Sequence, residues 1–396
     1  MNIIFFSNPD FFGNQLRPAF NSMPRFTKML ADGMSEKGHE VKIWAPQTRF
    51  FNLPAKGTIK KWMGYIDQYI LFPIEVRKRL ANCSADTLFV FTDQAQGPWV
   101  PLVAARNHVF HCHDLLAQLS ALGEIKENKT GWTGRQYQKY IRHGYSMGKH
   151  FISVSHKTKE ELHKLLPGNP VSSNVVYNGL NELFTPYDSP KARIELSTAT
   201  KLNLTTGYLL HVGGNQWYKN RSGVIEIYNA WRSTYKTNLP LLLIGEPLSE
   251  EITSLLNSSP FKADIHVFSG LNDDMVRLAY AGAEVFIFPS LAEGFGWPIA
   301  EAMASGCPVI TTNEAPMTEV AGNAGFLIPR RPNTNEEAKK WALDAASAVN
   351  AIVNFPAKKR KSVIKDAIDN AKRFDNATYI NSIESIYYKI SNHSYS

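Results

Sequence analysis

The feature that most constrains the fold is an alternation of short apolar segments with longer amphipathic ones. Runs such as Val285–Phe288 have the length and the β-branched or aromatic content of buried strands. Strands are also expected at 2–7, 41–44, 88–91, 109–112, 151–154, 175–177, 208–212, 241–244, 265–268 and 309–311, with a long loop at 8–21. Segments with helical spacing of apolar residues lie between them. Strands that alternate with helices pair in parallel, and the helices cover both faces of the sheet. The sequence therefore predicts an α/β fold made of doubly wound sheets.

The length of the chain predicts two domains. At 396 residues the chain is too long for one core, and it suits two domains of about 150 to 200 residues each. The segment 192–206 turns polar and irregular, and we expect a linker there. The predicted domains are 1–195 and 206–373, followed by a segment 374–396 whose apolar residues have helical spacing. No repeat beyond the two halves is evident.

Composition and cysteine usage indicate a globular protein of a reducing compartment. Apolar residues make up 44% and charged residues 20% of the chain, which is ordinary for a folded domain. Cys83, Cys112 and Cys307 are odd in number and widely spaced, which argues against a disulfide framework or a zinc site. Residues 1–6 predict a first strand rather than a signal peptide. We therefore expect a cytoplasmic protein with no bound metal.

The positive charge indicates an anionic partner. The net charge is +8 and the pI is near 9.1, which suits a nucleotide diphosphate, a lipid pyrophosphate or an acidic membrane surface. Within 56–79, basic residues lie beside aromatic ones, as interfacial binding at a membrane requires. Solvated helix faces explain the same pattern. Peripheral association with the inner membrane surface therefore stays open, and a nucleic acid is not expected.

The most informative motif is Glu-Gly-Phe-Gly-Trp-Pro-Ile-Ala-Glu at 293–301. It follows the predicted strand, and Pro298 suits the first turn of a helix. The amide groups and the positive dipole end of such a helix favour a phosphate. Glu293 and Glu301 would repel that phosphate but could accept hydrogen bonds from hydroxyl groups on either side of it. Because exposed Phe295 and Trp297 would be costly, the turn predicts a ligand.

A second motif lies at 209–221, where a strand leads into Gly213 and Gly214 and then into Lys219. Backbone amides of such a loop, together with an ammonium group, form a site for a diphosphate. The loop lacks the Gly-x-Gly-x-x-Gly pattern, which disfavours a dinucleotide cofactor.

The segment 293–301 resembles the Glu-seven-residues-Glu signature of retaining GT-B glycosyltransferases, in particular glycosyltransferase family four. The resemblance continues through 307–311 and 319–322. It implies two doubly wound Rossmann-like domains facing across a deep cleft. The N-terminal domain would bind the acceptor and the C-terminal domain the nucleotide sugar, with the helix in 374–396 returning to the N-terminal domain.

The resemblance also implies roles for individual residues. Glu293 would bind hydroxyls of the donor sugar, and Glu301 those of the ribose. Lys219 matches the family's phosphate-binding Lys, whereas Gly214 stands where an Arg is expected, so that either Arg221 would supply this phosphate contact or Asn215 would contact the sugar-phosphate region instead. The remaining diphosphate contacts would be Gly213, Gly214, Asn215, Phe295, Gly296 and Trp297.

Three further sets of residues follow from the resemblance. His113 ends a predicted strand and matches a His that the family places at the reacting face of the donor sugar, which makes His113 and Glu293 the candidate catalytic residues. Ser22 lies in the loop where relatives carry a glycine pair near the diphosphate, and Asp93 follows a strand end that faces the same cleft, so both are candidates for contact with the acceptor. The nucleobase would lie against Phe268, Gly270 and Leu271.

The implied activity is retaining, metal-independent transfer of a hexose from a nucleoside diphosphate sugar. UDP-glucose is the favoured donor type, a saccharide or lipid-linked hydroxyl is the acceptor, and no cofactor is needed. Such transferases serve polysaccharide and glycoconjugate biosynthesis. Two alternatives remain open: a nucleotide-sugar epimerase of the same fold, and a non-enzymatic nucleotide-sugar-binding protein.

Overall fold

The protein divides into two compact units. The computed structural model describes residues 1–9, 11 and 22–392. The first unit comprises Met1–Tyr177 with Ala377–Ser396, and the second comprises Asn178–Asn376. Each unit contains a six-stranded sheet in which all neighbouring strands are parallel. The predicted α/β class is confirmed.

The first sheet has the order β2-β1-β3-β4-β5-β6, and its four inner strands are mostly buried whereas its two edge strands are not. Its strands are β1 Asn2–Phe6, β2 Glu40–Trp44, β3 Leu88–Phe91, β4 His108–Cys112, β5 His150–Ser153 and β6 Ser172–Val175. The last strand was predicted a few residues later, at 175–177. It is shifted because β6 is polar and only half-buried, so that no apolar run marks it.

Helices cover the first sheet. They are α1 Ser22–Glu36, α2 Gly57–Ile66, α3 Phe72–Leu80, α4 Leu116–Leu122, α5 Trp132–Tyr145 and α6 His156–Leu165. A π-helical segment, Asp67–Leu71, joins α2 to α3 without a break, and a 3-10 segment follows β3 at Gln94–Leu102. The predicted loop before α1 falls mostly outside the described residues.

The second sheet has the order β12-β11-β10-β7-β8-β9. Its strands are β7 Leu209–Gly213, β8 Leu241–Gly245, β9 Ile265–Phe268, β10 Val285–Phe288, β11 Val309–Thr312 and β12 Phe326–Ile328. All of them lie within about one residue of the predicted strands except β12, which was not predicted. That strand has three residues and a half-exposed start, which is too short for a periodic signal.

The helices of the second unit surround this sheet. They are α7 Ser189–Thr200, α8 Arg221–Thr234, α9 Glu250–Ser258, α10 Asp273–Gly282, α11 Trp297–Ala304, α12 Met317–Ala321, α13 Asn335–Val353 and α14 Ala357–Ala371. The predicted linker at 192–206 was wrong, because α7 occupies most of it. Asp188 caps this helix by accepting from the amide of Lys191, and Ala192 and Leu196 are buried.

The last helix, α15 Asn376–Asn392, belongs almost entirely to the first unit. Ile383 and Tyr387 are fully buried, and the hydroxyl of Tyr387 lies 2.7 Å from Nε2 of His111 on β4. Glu384 contacts the imidazole of His39 at 2.8 Å. The helix thus completes the core of the first unit after the chain has passed through the second.

None of the helices in the described part of the chain combines the length and the apolar character that crossing a bilayer would require.

Candidate active site

The two sequence motifs leave the second sheet side by side. β7 and β10 are neighbouring parallel strands, with Leu210 paired to Phe286. The strand order reverses between them, because β8 and β9 lie on one side and β11 and β12 on the other. In doubly wound sheets, ligands bind beyond the carboxyl ends of the strands at such a reversal. The loops that follow β7 and β10 therefore lie where a ligand is expected.

Main-chain and side-chain hydrogen bonds fasten these two loops to each other. Asn220 adopts a left-handed conformation with φ +51, and its Oδ1 accepts from the amide of Gly223 at 3.2 Å, which caps α8. Its Nδ2 donates to the carbonyl of Pro289 at 2.9 Å. The amide of Leu291 donates to the carbonyl of Tyr218 at 2.7 Å. The loops therefore form one structural element.

An ion pair joins the residues predicted for the sugar and the diphosphate. Nζ of Lys219 donates to both carboxylate oxygens of Glu293, at 2.8 and 3.0 Å. Both side chains are largely buried. The ammonium also lies 5.1 Å from the ring centre of Phe288 and 5.4 Å from that of Tyr218. The sequence predicted a role for each residue of this pair but not the contact between them.

The turn before α11 has the predicted form. Gly296 has φ +106, a conformation that glycine adopts without strain, and Pro298 occupies the first turn of the helix. The expectation of exposed aromatic rings in this turn was wrong for Phe295. That side chain is buried and packs edge-on against Phe374 at 5.4 Å. Trp297 is half-buried, and its Nε1 donates to the carbonyl of Gly179 at 3.4 Å.

Glu301, predicted to bind the ribose, has a partner from the neighbouring helix. The hydroxyl of Tyr280 on α10 donates to its Oε2 at 3.1 Å. Tyr280 is fully buried, and burial together with the charge of Glu301 raises the pKa of its hydroxyl well above the usual value. The phenol therefore stays protonated and fixes the orientation of the carboxylate.

Arg221, a candidate for the missing phosphate contact, lies beneath the glycine loop. Its Nη1 donates to Oδ1 of Asn215 at 2.8 Å and to the carbonyl of Glu246 at 2.9 Å. Oε2 of Glu246 accepts from the amide of Asn215 at 3.2 Å. Arg221 is buried, and this burial lowers the pKa of its guanidinium to about 10. These contacts make Arg221 and Glu246 supports of the loop.

His211 on β7 lies directly under the same loop. It is fully buried, and its Nδ1 lies 2.9 Å from the carbonyl oxygen of Ile287, so that Nδ1 carries the proton. Burial, and more weakly the charges of Arg221 and Lys219, lower the pKa of the ring to about 3. A Cβ atom at Gly213 would lie 2.9 Å from Nε2 of this histidine, and glycine avoids that clash.

In the first unit, His113 follows β4 and is buried. Its Nε2 lies 3.0 Å from the carbonyl oxygen of Thr92, so that Nε2 carries the proton and donates within the protein. The ring packs edge-on against Phe26 at 4.3 Å. Burial lowers the pKa of His113, although the charge of Asp93 opposes this. The nearby carboxylate caps the 3-10 segment by accepting from the amide of Ala95 at 2.9 Å.

Comparison with known protein families decides the relationship. Residues 193–367 match the family described as Glycosyl transferases group 1, and residues 23–182 match Glycosyltransferase Family 4. Together these matches span most of both units. The chain belongs to this glycosyltransferase family.

Curated relatives of this chain match over parts of their length. O-antigen chain mannosyltransferase B of Escherichia coli is 32% identical over 123 residues, which cover 31% of this chain and 32% of the relative. O-antigen chain mannosyltransferase RfbU of Salmonella typhimurium is 24% identical over 208 residues, which cover 52% of each protein. The chain thus spans about a third to a half of the length of these relatives.

Solved structures share the fold over the whole chain. WaaG, a glycosyltransferase involved in lipopolysaccharide biosynthesis, superposes with a TM-score of 0.69 at 16% identity, covering 97% of this chain and 99% of WaaG. Anabaena HepE in complex with UDP and glucose gives a TM-score of 0.69 at 15% identity, covering 98% and 100%. The predicted GT-B fold is confirmed.

Some residues of the site could not be found from the sequence of this glycosyltransferase, and some predictions stay open. Tyr280 and Glu246 lie in ordinary helical and loop segments, and only the folded structure brings them to the motif residues. His211 lies within the second motif, but its burial beneath the loop is seen only in the structure. The predicted nucleobase residues Phe268, Gly270 and Leu271 lie at the end of β9, where Gly270 has φ +74. Ser22 begins α1, and its side chain lies outside the described part.

Proposed function

We propose that the protein is a retaining hexosyltransferase that moves a hexose from a nucleoside diphosphate sugar to a hydroxyl of a saccharide or lipid-linked acceptor. The observation that carries this proposal is the pair Lys219–Glu293, which joins the two motif loops. Glu301 stands on the helix that the second loop begins. One rigid element thus holds an ammonium group and two carboxylates, the groups that a diphosphate flanked by two sugars requires.

Lys219 and Glu293 can each bind the donor while they remain paired. An ammonium group has three N–H donors, and Lys219 uses two of them for its hydrogen bonds to Glu293. The third can reach a phosphate oxygen. Each carboxylate oxygen accepts more than one hydrogen bond, so Glu293 can accept from sugar hydroxyls while it holds the ammonium in place.

Glu301 suits the ribose for a similar reason. Tyr280 occupies one acceptor position of its carboxylate, and a carboxylate offers about four. Ribose hydroxyls can donate to the same carboxylate, since each of its oxygens accepts more than one hydrogen bond. Since Tyr280 is buried and fixed, the carboxylate meets the ribose in a preset orientation, which lowers the entropic cost of binding.

The leaving diphosphate gains negative charge as the glycosidic bond breaks, and dipoles already aimed at it give the main stabilisation. We assign this role to Lys219, to the amides of Gly213 and Gly214, and to those of Phe295, Gly296 and Trp297 at the start of α11. Asn215 is kept in place by Arg221. The reaction then proceeds with no metal ion and no cofactor other than the nucleotide sugar.

Retention of configuration follows if the acceptor hydroxyl attacks the face that the diphosphate leaves. The departing phosphate oxygen then takes the acceptor's proton, so that no separate base is required. The assignment of His113 to the reacting face of the sugar, and of Asp93 and Ser22 to the acceptor, stays a prediction. NMR of the product tests retention, because the one-bond carbon–proton coupling at the anomeric carbon distinguishes the two configurations.

The identity of the hexose is best approached through the relatives. The O-antigen relatives are named mannosyltransferases, which supports a mannosyl donor over the UDP-glucose favoured by the sequence resemblance. The HepE structure contains UDP and glucose. We therefore propose a mannosyl donor for a glycan-building reaction in the cytoplasm, with UDP-glucose as the competing donor to be tested.

The test combines binding with transfer. The protein is heated with GDP-mannose, UDP-glucose and the free nucleotides, because a ligand that binds only the folded state raises the unfolding temperature. The stabilising donor is then used with saccharide acceptors. Glu293→Gln keeps the shape of the side chain but removes its charge, and we expect transfer to fall at least about a hundredfold.

A matched control is Glu226→Gln, which breaks another two-bond pair of the second unit, between Glu226 and Arg331. This variant should keep its transfer rate. Full activity of Glu293→Gln would contradict the assignment. Rapid epimerisation of the donor without an acceptor would favour an epimerase, and donor binding without any turnover would favour a binding protein.

A further inference from the structure

A continuous helical run in the first unit presents a surface that the proposed transfer reaction does not use. α2, the π-helical segment and α3 follow one another from residue 57 to residue 80 without interruption. Their inner side carries Gly64, Gln68, Phe72 and Val76, which are buried and four residues apart. Phe72 and Val76 belong to the core of the first sheet. This spacing marks the inward stripe of a helix.

The outer side of the same run exposes large apolar side chains. Ile59 is 64% and Trp62 is 63% exposed, while Ile70 and Ile74 are 55% and 45% exposed. Ile59 and Trp62 are three residues apart and Ile70 and Ile74 four, so that each pair shares a side of its helix. Exposure of several large apolar side chains along one helical run is costly in water and marks an interaction site. We call these four side chains the 57–80 surface.

The charge around the 57–80 surface is strongly positive. Between residues 49 and 80 there are seven Lys or Arg residues and two acidic ones. Asp67 is buried, and its carboxylate accepts from three backbone amides, those of residues 49, 50 and 51, at 2.9–3.0 Å. Glu75 pairs with Arg79. Both acidic charges are therefore used within the protein, whereas Lys61, Arg77 and Lys78 point to solvent.

Aromatic contacts hold the 57–80 surface against α5. The ring of Trp62 packs edge-on against Tyr65 at 5.8 Å, and Tyr65 stacks on Tyr137 of α5 at 5.8 Å. The hydroxyls of Tyr69 and Tyr137 are 2.6 Å apart. Burial raises the pKa of Tyr137 to about 12, so its hydroxyl stays protonated at neutral pH and the hydrogen bond is kept. The exposed side chains thus stand on a fixed support.

We propose that the 57–80 surface docks the protein on an anionic lipid bilayer. Isoleucine and tryptophan side chains enter the boundary between headgroups and acyl chains, and the surrounding Lys and Arg residues attract the lipid phosphates. Aliphatic isoleucines offer no flat face on which a sugar ring stacks, and the unbalanced positive charge matches an anionic surface. The observations therefore favour a bilayer over a glycan. This docking is independent of donor binding in the second unit.

Vesicle sedimentation tests the apolar part of the proposal. The full chain is mixed with vesicles of equal parts phosphatidylglycerol and phosphatidylcholine, or of phosphatidylcholine alone. We expect binding to the anionic vesicles only. Ile59→Ser with Trp62→Ser should lower the partition coefficient at least about tenfold. The matched control, Ile194→Ser with Leu343→Ser, changes two comparably exposed side chains of the second unit and should leave it unchanged.

The charged part has its own pair of variants. Lys61→Ala with Lys78→Ala should weaken binding to the anionic vesicles about tenfold at low salt, since each cation near such a surface contributes. Lys358→Ala with Lys361→Ala removes the same charge from an exposed stretch of α14 and should have little effect. Raising the salt concentration should remove most of the difference between the two variants.

Several outcomes would overturn the docking proposal. They are failure to bind anionic vesicles, equal binding to both vesicle types, and equal losses in the test and control variants. Binding to immobilised dextran that depends on Trp62, without vesicle binding, would assign the surface to a glycan instead. Donor-induced stabilisation of the vesicle-deficient variants shows that they are folded, and it separates this result from failure of the proposed transferase activity.

Discussion

At the scale of the residue, the structure shows a direct contact between two motif residues that the sequence assigned to separate roles. Lys219 and Glu293, assigned from the sequence to different parts of the donor, hold each other. An ion pair that is largely out of water gains little stability by itself, because desolvation offsets most of the attraction. Its value here is geometric, since it fixes an ammonium and a carboxylate at the meeting point of two loops.

The ammonium of Lys219 gives a residue-scale prediction. In Lys219→Gln, the diphosphate loses its charged donor and Glu293 loses its partner. We expect the turnover number to fall about a hundredfold or more, with a smaller change in donor affinity. Lys219→Arg keeps the charge and should recover part of the rate. Steady-state kinetics with the stabilising donor measure both variants.

A comparison variant is Lys340→Gln, which removes an exposed Lys paired with Asp344 on α13. It should match the parent protein. If Lys219→Gln kept the parent's turnover number, the charge on the leaving diphosphate would have to be stabilised by other groups.

At the scale of the element, the two motif loops behave as one because Asn220 serves both. It caps α8 and also binds the loop after β10. Its positive φ is a conformation that asparagine tolerates and alanine does not. The sequence indicated each loop separately, since each follows an apolar run and contains glycines. The side-chain bond between them depends on packing that no local pattern encodes.

Asn220→Ala should therefore cost more than an ordinary helix cap. Loss of the cap removes about 1 kcal/mol, and the left-handed backbone adds about 1–2 kcal/mol for alanine. Asn272→Ala is the matched control, because Asn272 caps α10 of the same unit by accepting from Met275 at 2.9 Å with a negative φ. Urea unfolding measures both. Equal losses would show that the backbone conformation carries no penalty.

Helices and strands differ in how well the sequence predicts them. The predicted bounds of β9 and β10 agree with the structure at both ends. Each strand is a run of four residues with polar or turn-forming residues on either side. α7 was mistaken for a linker, since serine and threonine dominate its second half and only Ala192 and Leu196 face the core. Apolar spacing is the main local signal, and elements that bury little apolar surface do not show it.

At the scale of the whole molecule, each unit contains a fully buried histidine on an inner strand of its sheet. His111 in the first unit and His211 in the second are both uncharged, because burial lowers the pKa of each ring to about 3. An unfolded histidine has a pKa of about 6.5. Between these values, the unfolded chain binds a proton that the native chain does not, and the free energy of unfolding falls as the pH falls.

This linkage predicts a pH-dependent stability. Above about pH 6.5 the contribution of each histidine is fully present, and by pH 5 each should have lost about 2 kcal/mol. In His211→Gln the fall between pH 7.5 and pH 5 should be smaller than in the parent by that amount. Urea unfolding at the two pH values measures the difference. An equally steep fall in the variant would mean that the ring of His211 is charged in the native state.

The position of α15 sets an order of events during synthesis. The second unit is one unbroken stretch of chain, 178–376, whereas the first needs residues from both sides of it. While the ribosome is still adding α15, the second unit has all its residues, but the core around His111 lacks Tyr387. Domains generally fold as units while the chain grows. Here the half that is made first is finished last, because its core is complete only when α15 has been added.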